Sequence, residues 1–142
     1  MTTRYGSATY EGLGKDGRGH VSTGSGVLAD QPYGFGTRFG DEKGTNPEEL
    51  IAAAHASCFT MALSFALAKA GFSDGTLATD AKVTLEKDGD GFTVTRSDLT
   101  LKARVPGIGA DQFAEIAAGA KANCPISKLL KAEITLDHTL EG

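Results

Sequence analysis

The sequence predicts an α+β fold in a single domain covering residues 1–142, and three observations carry that prediction. Residues 79–87 (TDAKVTLEK) alternate apolar and polar, and residues 92–105 return across the turn Asp88-Gly89-Asp90-Gly91. Leu50 to Ala68 carries no charge and has the length of one long helix. The chain length of 142 falls within the usual size of one domain.

Taken in order, residues 4–11 read as a strand, with Tyr5, Ser7 and Thr9 on one face and Ala8 and Tyr10 on the other. Gly12 to Gly17 spells GxGxxG. The following Arg18-Gly19-His20-Val21-Ser22-Thr23 has strand character and no helix start, so the motif is a hairpin loop and not a dinucleotide site. Residues 19–28 form the second strand. Residues 31–44 (QPYGFGTRFGDEKG) read as loop, with Tyr33, Phe35 and Phe39 interleaved with Arg38. A helix then starts cleanly. Thr45 or Asn46 can cap it, Pro47 suits the first helical position, and Glu48 and Glu49 suit the positive end of the dipole. It runs to about Ala70, where Gly71 stops it.

In the hairpin, Ala81, Val83 and Leu85 point inward and Lys82, Thr84 and Glu86 outward. No Glu closes the Asp-Gly-Asp-Gly turn at calcium-loop distance. Pro106-Gly107 ends the second strand. Asp111 to Ala122 forms a helix with Phe113, Ile116, Ala117 and Ala120 on one face. Pro125 to Lys131 is a short helix, and residues 133–140 (EITLDHTL) are the last strand. The order is β-β-loop-α-β-β-α-α-β.

Composition excludes several classes. Forty per cent of the residues are hydrophobic and 23% charged, as in an ordinary globular protein and not a disordered tail. The net charge is -4 and no basic block occurs, so no nucleic-acid partner is expected. Met1 to Gly6 has no apolar run, so no signal peptide is expected and the cytoplasm is the expected location. Leu50–Ala68 contains His55, Ser57, Cys58, Thr60 and Ser64, with charges close on both sides. A helix buried in protein on most sides is expected, with no membrane partner.

Cys58 sits halfway along the apolar helix, and Cys124 directly precedes Pro125 at or beside a helix N-cap. Two readings stand together. Both can be small buried hydrophobes, the common fate of free cysteine. Alternatively Cys124 gains thiolate character from the unpaired N–H groups at the helix start, and a Cys58 thiolate takes Arg38 as its cation. A thiolate, an Arg and apolar walls suit an organic peroxide, with Cys124 condensing onto the sulfenic acid so formed.

Gly34-Phe35-Gly36-Thr37-Arg38-Phe39, the stretch Gly44-Thr45-Asn46-Pro47-Glu48-Glu49-Leu50 on through His55-Ala56-Ser57-Cys58-Phe59, and Asn123-Cys124-Pro125-Ile126-Ser127-Lys128 together resemble the OsmC/Ohr family, in its OsmC branch. The resemblance extends to Lys131–Leu136 and covers essentially the whole chain. It implies an OsmC-like fold, with antiparallel sheets around a long buried central helix, in an intertwined homodimer. It further implies thiol-dependent reduction of hydroperoxides, organic ones before hydrogen peroxide. Cys58 would be the peroxidatic cysteine, Cys124 the resolving one, Arg38 the family's arginine and Glu48 its partner. No bound cofactor or metal is implied. The implied reductant is an external dithiol, a dihydrolipoyl group on a carrier protein.

Glu48 and Cys58 are ten residues apart, about 15 Å along a straight helix. Glu48 therefore reaches a Cys58 thiolate only through an Arg, most simply across a subunit interface. The plainer reading of Glu48 is a helix N-terminal charge, a role Glu49 fills equally well. Tyr33, Phe35, Phe39 and Phe59 are either core or the walls of a substrate pocket. His55 and Cys58 share a helix face, but no second local pair completes a zinc site. His55 can instead be a hydrogen-bonded neutral imidazole, and His20 and His138 are strand surface residues. Two other functions fit the same residues. One is a non-catalytic binder of an apolar ligand, and the other a redox sensor whose disulfide alters a partner contact.

Overall fold

A computed structural model describes residues 1–141, which form two compact units divided after Leu50. The first unit is a three-stranded antiparallel sheet in the order β1 (Gly6–Glu11), β2 (Arg18–Thr23), β3 (Gln31–Tyr33). Gly12–Gly17 is the β1–β2 connection, as expected. Its 3-10 turn closes through Gly17 N–H to the Gly14 carbonyl (3.2 Å), and the Tyr10 hydroxyl donates to the same oxygen (2.8 Å).

Two expectations for this unit are corrected. The second strand ends at Thr23 rather than 28. Leu28 N–H donates to Thr23 Oγ1 (3.1 Å) and Gly26 N–H to the Thr23 carbonyl (2.9 Å), folding the chain into a turn. The glycine-rich segment 31–44 is not all loop, for it holds β3 and a short helix α1 (Phe35–Phe39). The Thr37 hydroxyl makes the helix start, accepting from Gly34 N–H (2.8 Å) and donating to the Gly34 carbonyl (3.1 Å). Glycine counting cannot see such a local side-chain to backbone exchange.

Helix α2 (Pro47–Lys69) begins as its cap residues require. Asn46 Oδ1 accepts from Glu49 N–H (2.8 Å), which makes Asn46 the N-cap. Just before it, Gly44 holds φ +148°, and a Cβ there would run into the Pro32 carbonyl. Burial follows a single stripe, His55, Phe59, Leu63 and Leu67, at four-residue spacing. The expectation of burial on most sides is therefore corrected. Met61 is 61% exposed and Phe65 70%. Apolar residues surround this helix, and in one chain only one face meets the core. Among the described residues, α2 alone is long and apolar enough to cross a membrane, yet Phe59, Leu63 and Leu67 of its buried stripe belong to the core cluster.

The second unit pairs β4 (Thr76–Asp88) with β5 (Gly91–Arg104) antiparallel, as the alternation predicts. Gly89, at φ +61°, opens the tight turn. β5 buries Ser97, Leu99, Leu101 and Ala103, one face of the strand. A register shift opposite Thr84 and Leu85 skips Thr95, whose buried hydroxyl has no partner. Helices α3 (Ala110–Asn123) and α4 (Pro125–Leu129) follow, and α4 is two residues shorter than expected. Phe113, Ala117 and Ala120 are buried on the expected face of α3.

The last strand, β6 (Glu133–Glu141), pairs with β5 in parallel, so this sheet is mixed where antiparallel sheets were expected. The helices between the two strands bring the chain back to the same end of the sheet, the connection a parallel pair needs. The core unites Phe59, Leu63 and Leu67 of α2 with Leu99, Leu101 and Ala103 of β5, then Val105, Phe113, Ala117, Ala120 and Cys124. His138 is half-buried and packs its ring on Phe113 (5.4 Å), so it is not the surface residue expected.

Side chains fix the parallel register. Thr135 lies opposite Asp98 and donates to it (2.6 Å), while Arg96 grips Asp98 (2.8 Å) opposite Glu133 (3.4 Å). The Arg96 guanidinium, then the Thr135 hydroxyl, hold the Asp98 carboxyl down at about 2. Because the folded value lies below the unfolded one, its stabilisation is present above about pH 4 and is lost as pH falls through about 2. Asp98→Asn should therefore lower the melting temperature at neutral pH, with the gap to wild type closing as acid protonates Asp98, followed by circular dichroism. Phe59→Ala should destabilise by about 3–5 kcal/mol in urea unfolding, as for any fully buried aromatic.

Candidate active site

The two cysteines are brought together within the second unit. Cys58 lies midway along α2 and is half-buried, and Cys124 is fully buried. Cys124 occupies the joint between two helices, closing α3 through its N–H to the Ala120 carbonyl (2.9 Å) and capping α4. Pro125 sets that joint, since proline cannot continue α3 but readily opens α4. Both thiols are free, and they lie close enough for each to influence the other's titration.

The donors around the two sulfurs are unequal. Burial pushes both thiols up. Cys58 beside it, the Ser127 N–H and hydroxyl, and the Ile126 N–H then together carry Cys124 below the ordinary thiol value. Cys58 keeps one comparable donor, Ile126 N–H, and burial followed by the neighbouring Cys124 leaves it raised. Within this chain the surroundings shift Cys58 away from the thiolate and Cys124 toward it, whereas the sequence suggested a Cys58 thiolate.

His55 stands one helical turn before Cys58 and is fully buried. Its Nδ1 lies 2.7 Å from Ser97 Oγ and its Nε2 lies 2.8 Å from Ser127 Oγ. Burial lowers its pKa, so the ring is neutral, the alternative the sequence allowed. The sequence did not point to Ser97 or Ser127. They lie 42 and 72 residues from His55, beyond any local pattern. The one available signal was Ser127 three positions after Cys124, where an N-terminal hydroxyl can turn back to the capping residue.

In the first unit, Arg38 forms a two-pronged ion pair with Glu48, Nε to Oε1 at 2.9 Å and Nη2 to Oε2 at 2.8 Å. The Glu48 hydrogen bond holds the Arg38 pKa above its ordinary value. The two readings of Glu48 are now separated. Glu49 serves the helix start, through its N–H and through Thr45 (2.8 Å), and Glu48 serves Arg38. Asn46 Nδ2 donates to the Thr37 carbonyl (3.1 Å), tying the Arg-bearing helix to the cap of the Glu-bearing one.

Of the four aromatic candidates, Phe35 and Phe39 stack at 5.1 Å, with Lys15 over Phe35 (5.0 Å) and Arg38 over Phe39 (5.6 Å). With Tyr10, both line a cleft of about 460 Å³. Tyr33 packs edge-on against Tyr10 (6.1 Å) and lines a neighbouring cleft with Phe35. Phe59 is core, fully buried among Leu63 and Phe113, and is no pocket wall in this chain. Among the described residues no cluster of three or more His, Cys, Asp or Glu is placed to hold a metal ion.

A mixed α+β fold that holds two free thiols in contact on a buried helix joint defines a dithiol protein of the redox type. Residues 40–139 match the family model described as OsmC-like protein. The peroxiredoxin OsmC of Escherichia coli K12 is 57% identical over 96% of each chain. The organic hydroperoxide resistance protein OhrA of Bacillus subtilis is 35% identical over 70% of this chain and 68% of its own. The crystal structure of OhrB from the same organism superposes with TM-score 0.66 at 27% identity, covering 96% of this chain and 98% of that one. The chain belongs to the OsmC family.

The contact between the sulfurs has a direct test. A mild thiol oxidant such as diamide should convert both thiols to one Cys58–Cys124 disulfide within each chain, seen as loss of two free thiols without a covalent dimer on non-reducing gels.

Proposed function

We propose that this chain is a thiol-dependent peroxidase that reduces organic hydroperoxides, and hydrogen peroxide less efficiently. The observation that carries the reading is the pair of free thiols in one site, one fully buried, the other half-buried and within reach of a substrate. The relatives' names, peroxiredoxin and organic hydroperoxide resistance protein, support it.

In the proposed cycle Cys58 is the peroxidatic cysteine. Its sulfur attacks the terminal peroxide oxygen, and its proton passes to Cys124. The O–O bond breaks, and the leaving alkoxide takes a solvent proton to become the alcohol. Cys58 is now a sulfenic acid. Cys124 attacks it as the resolving cysteine. The S–S bond forms, the S–O bond breaks, and hydroxide leaves with the Cys124 proton as water. A dihydrolipoyl-type dithiol on a carrier protein then reduces the disulfide by exchange and is itself oxidised.

Arg38, oriented by Glu48, is the cation that stabilises the developing thiolate and the leaving oxygen. Phe35, Phe39 and Tyr33 are the proposed apolar walls for the organic group. A homodimer is part of the proposal. The first unit contains none of the buried apolar core residues, and the Met61–Phe65 face of α2 is uncovered, so both require a covering partner. A second copy, matching the intertwined dimer that the resemblance implies, supplies one. Two thiols that open and close reversibly fit a reducing compartment, so the proposed location is the cytoplasm.

The test is intact mass and free-thiol count after one equivalent of an organic hydroperoxide. Wild type should lose both thiols as an intramolecular disulfide, and Cys124→Ser should trap a sulfenic acid on Cys58. Unreacted thiols in a folded protein would overturn the reading and favour the apolar-ligand binder. Arg38→Ala and Glu48→Gln should each slow sulfenic acid formation, with the arginine the costlier loss at about 100-fold or more, in the range of a removed charge-stabilising donor.

A further inference from the structure

Two side chains of α2 meet two of the α3–α4 joint. On α2, His55 and Cys58 stand three positions apart on one helix face; at the joint, Cys124 caps α4 and Ser127 stands three positions on. His55 Nε2 lies 2.8 Å from Ser127 Oγ, and Cys58 neighbours Cys124. The earlier residue on α2 meets the later one at the joint, and the later meets the earlier. The two pairs are therefore adjacent rungs between the same two elements.

His55 is in turn tied to β5, with Nδ1 2.7 Å from Ser97 Oγ. His55 and Ser97 are fully buried and Ser127 nearly so. A neutral ring has one donor and one acceptor, and a hydroxyl serves as either. Whichever nitrogen bears the hydrogen, both serines are partnered. A buried polar network satisfied in this way rigidifies its surroundings and fixes one arrangement of them.

The joint needs such fixing. α4 has five residues, far too few to hold a helix unaided. Its backbone contributes Lys128 N–H to the Cys124 carbonyl and Leu130 N–H to the Ile126 carbonyl, both at 3.0 Å. Side chains tie it to the rest of the unit, with Ile126 against the core and Ser127 on His55. The reaction that depends on this placement is geometrically strict, for a disulfide needs its two Cα atoms within about 7 Å and its Cβ atoms converging. A joint that swings away from α2 carries Cys124 out of that range.

We propose that the Ser97–His55–Ser127 bracket is a positioning device for the resolving step: it pins the α3–α4 joint to α2, so that Cys124 captures the Cys58 sulfenic acid before a second hydroperoxide does. This deepens the peroxidase reading and rests on it for the competing reaction. Capture by Cys124 forms the S–S bond, breaks the S–O bond and releases water. In the competing reaction the sulfenic acid sulfur attacks a second hydroperoxide. The O–O bond breaks, the alcohol leaves, and Cys58 becomes a sulfinic acid, outside the reach of dithiol exchange. His55 acts through Ser127 and is a positioning residue rather than a catalytic one.

Three variants separate positioning from packing. Ser127→Ala removes one tie, His55→Leu removes both while filling the space, and Ser127→Thr keeps the hydroxyl. With excess cumene hydroperoxide, followed by rapid quench and intact mass, Ser127→Ala should close its disulfide about fivefold more slowly than wild type, the worth of one hydrogen bond, and accumulate sulfinic acid accordingly. His55→Leu should be slowed at least as much, and the double variant no more than His55→Leu alone, because the two residues form one tie. Ser127→Thr should close as wild type does. The slowing should be the same at every pH, since its cause is distance and not ionisation.

The second readout uses no peroxide. In glutathione redox buffers, the effective concentration of Cys124 toward Cys58 should fall by the same factor in Ser127→Ala. Unchanged closure and unchanged effective concentration in folded variants would overturn the inference and leave the bracket as core packing. A slowing that alkali abolishes would overturn it as well. If wild type forms no sulfenic acid and the effective concentration still falls as stated, the positioning role stands and the peroxidase reading is what fails.

Discussion

The placing of the two thiols side by side is the constraint on which the rest depends. Moving a thiolate out of water is unfavourable, and here burial raises both thiols. The fold answers by concentrating donors on one of the two. Pro125 breaks the chain between α3 and α4, Cys124 takes the cap, and the first N–H groups of the new helix turn onto its sulfur. Hydrogen bonds to a charged group contribute roughly 1.5–3 kcal/mol each, so a few suffice to offset the burial of a small anion. Cys58, on a continuous helix whose own N–H groups are spent, has only the Ile126 N–H. In the proposed cycle one sulfur is the base and the other, the more accessible, is the attacking atom.

That asymmetry explains why the long helix must be what it is. Cys58 is placed one turn from His55 and next to Phe59, so the same stretch carries the half-buried thiol, the buried imidazole and a core anchor. Its alanines let the other elements approach. The helix has no charge along its middle; its charged residues sit at the ends, Lys69 in the last turn and Glu48 and Glu49 in the first. At that first turn Asn46 and Glu49 hold the cap, and Glu48 is left for Arg38.

Much of this was legible in the sequence. The start of α2 followed from Asn46, Pro47 and the two glutamates, and its stop from Gly71, because caps are local chemistry. The β4–β5 hairpin and the buried face of α3 followed from periodicity. What escaped was of two kinds. Short elements inside the glycine-rich segment depend on one threonine trading hydrogen bonds with Gly34, which composition hides. The serine partners of His55, and the parallel pairing of β6 fixed by Thr135 on Asp98, join residues far apart in sequence. Residue types named the cysteines, Arg38 and Glu48 as candidates, but only the packed chain shows that Cys124 is the fully buried sulfur and Cys58 the half-buried one.

The most direct measurement of the central claim is steady-state consumption of an organic hydroperoxide with dihydrolipoamide as reductant, comparing wild type with Cys58→Ser. The account predicts many turnovers per chain in wild type and none in the variant, with Cys124 intact but unable to reach the peroxide. Equal consumption by the variant would show that Cys58 is not the attacking sulfur. A wild type that stops after one equivalent per chain, with dithiol still present, would show a sensor rather than a peroxidase.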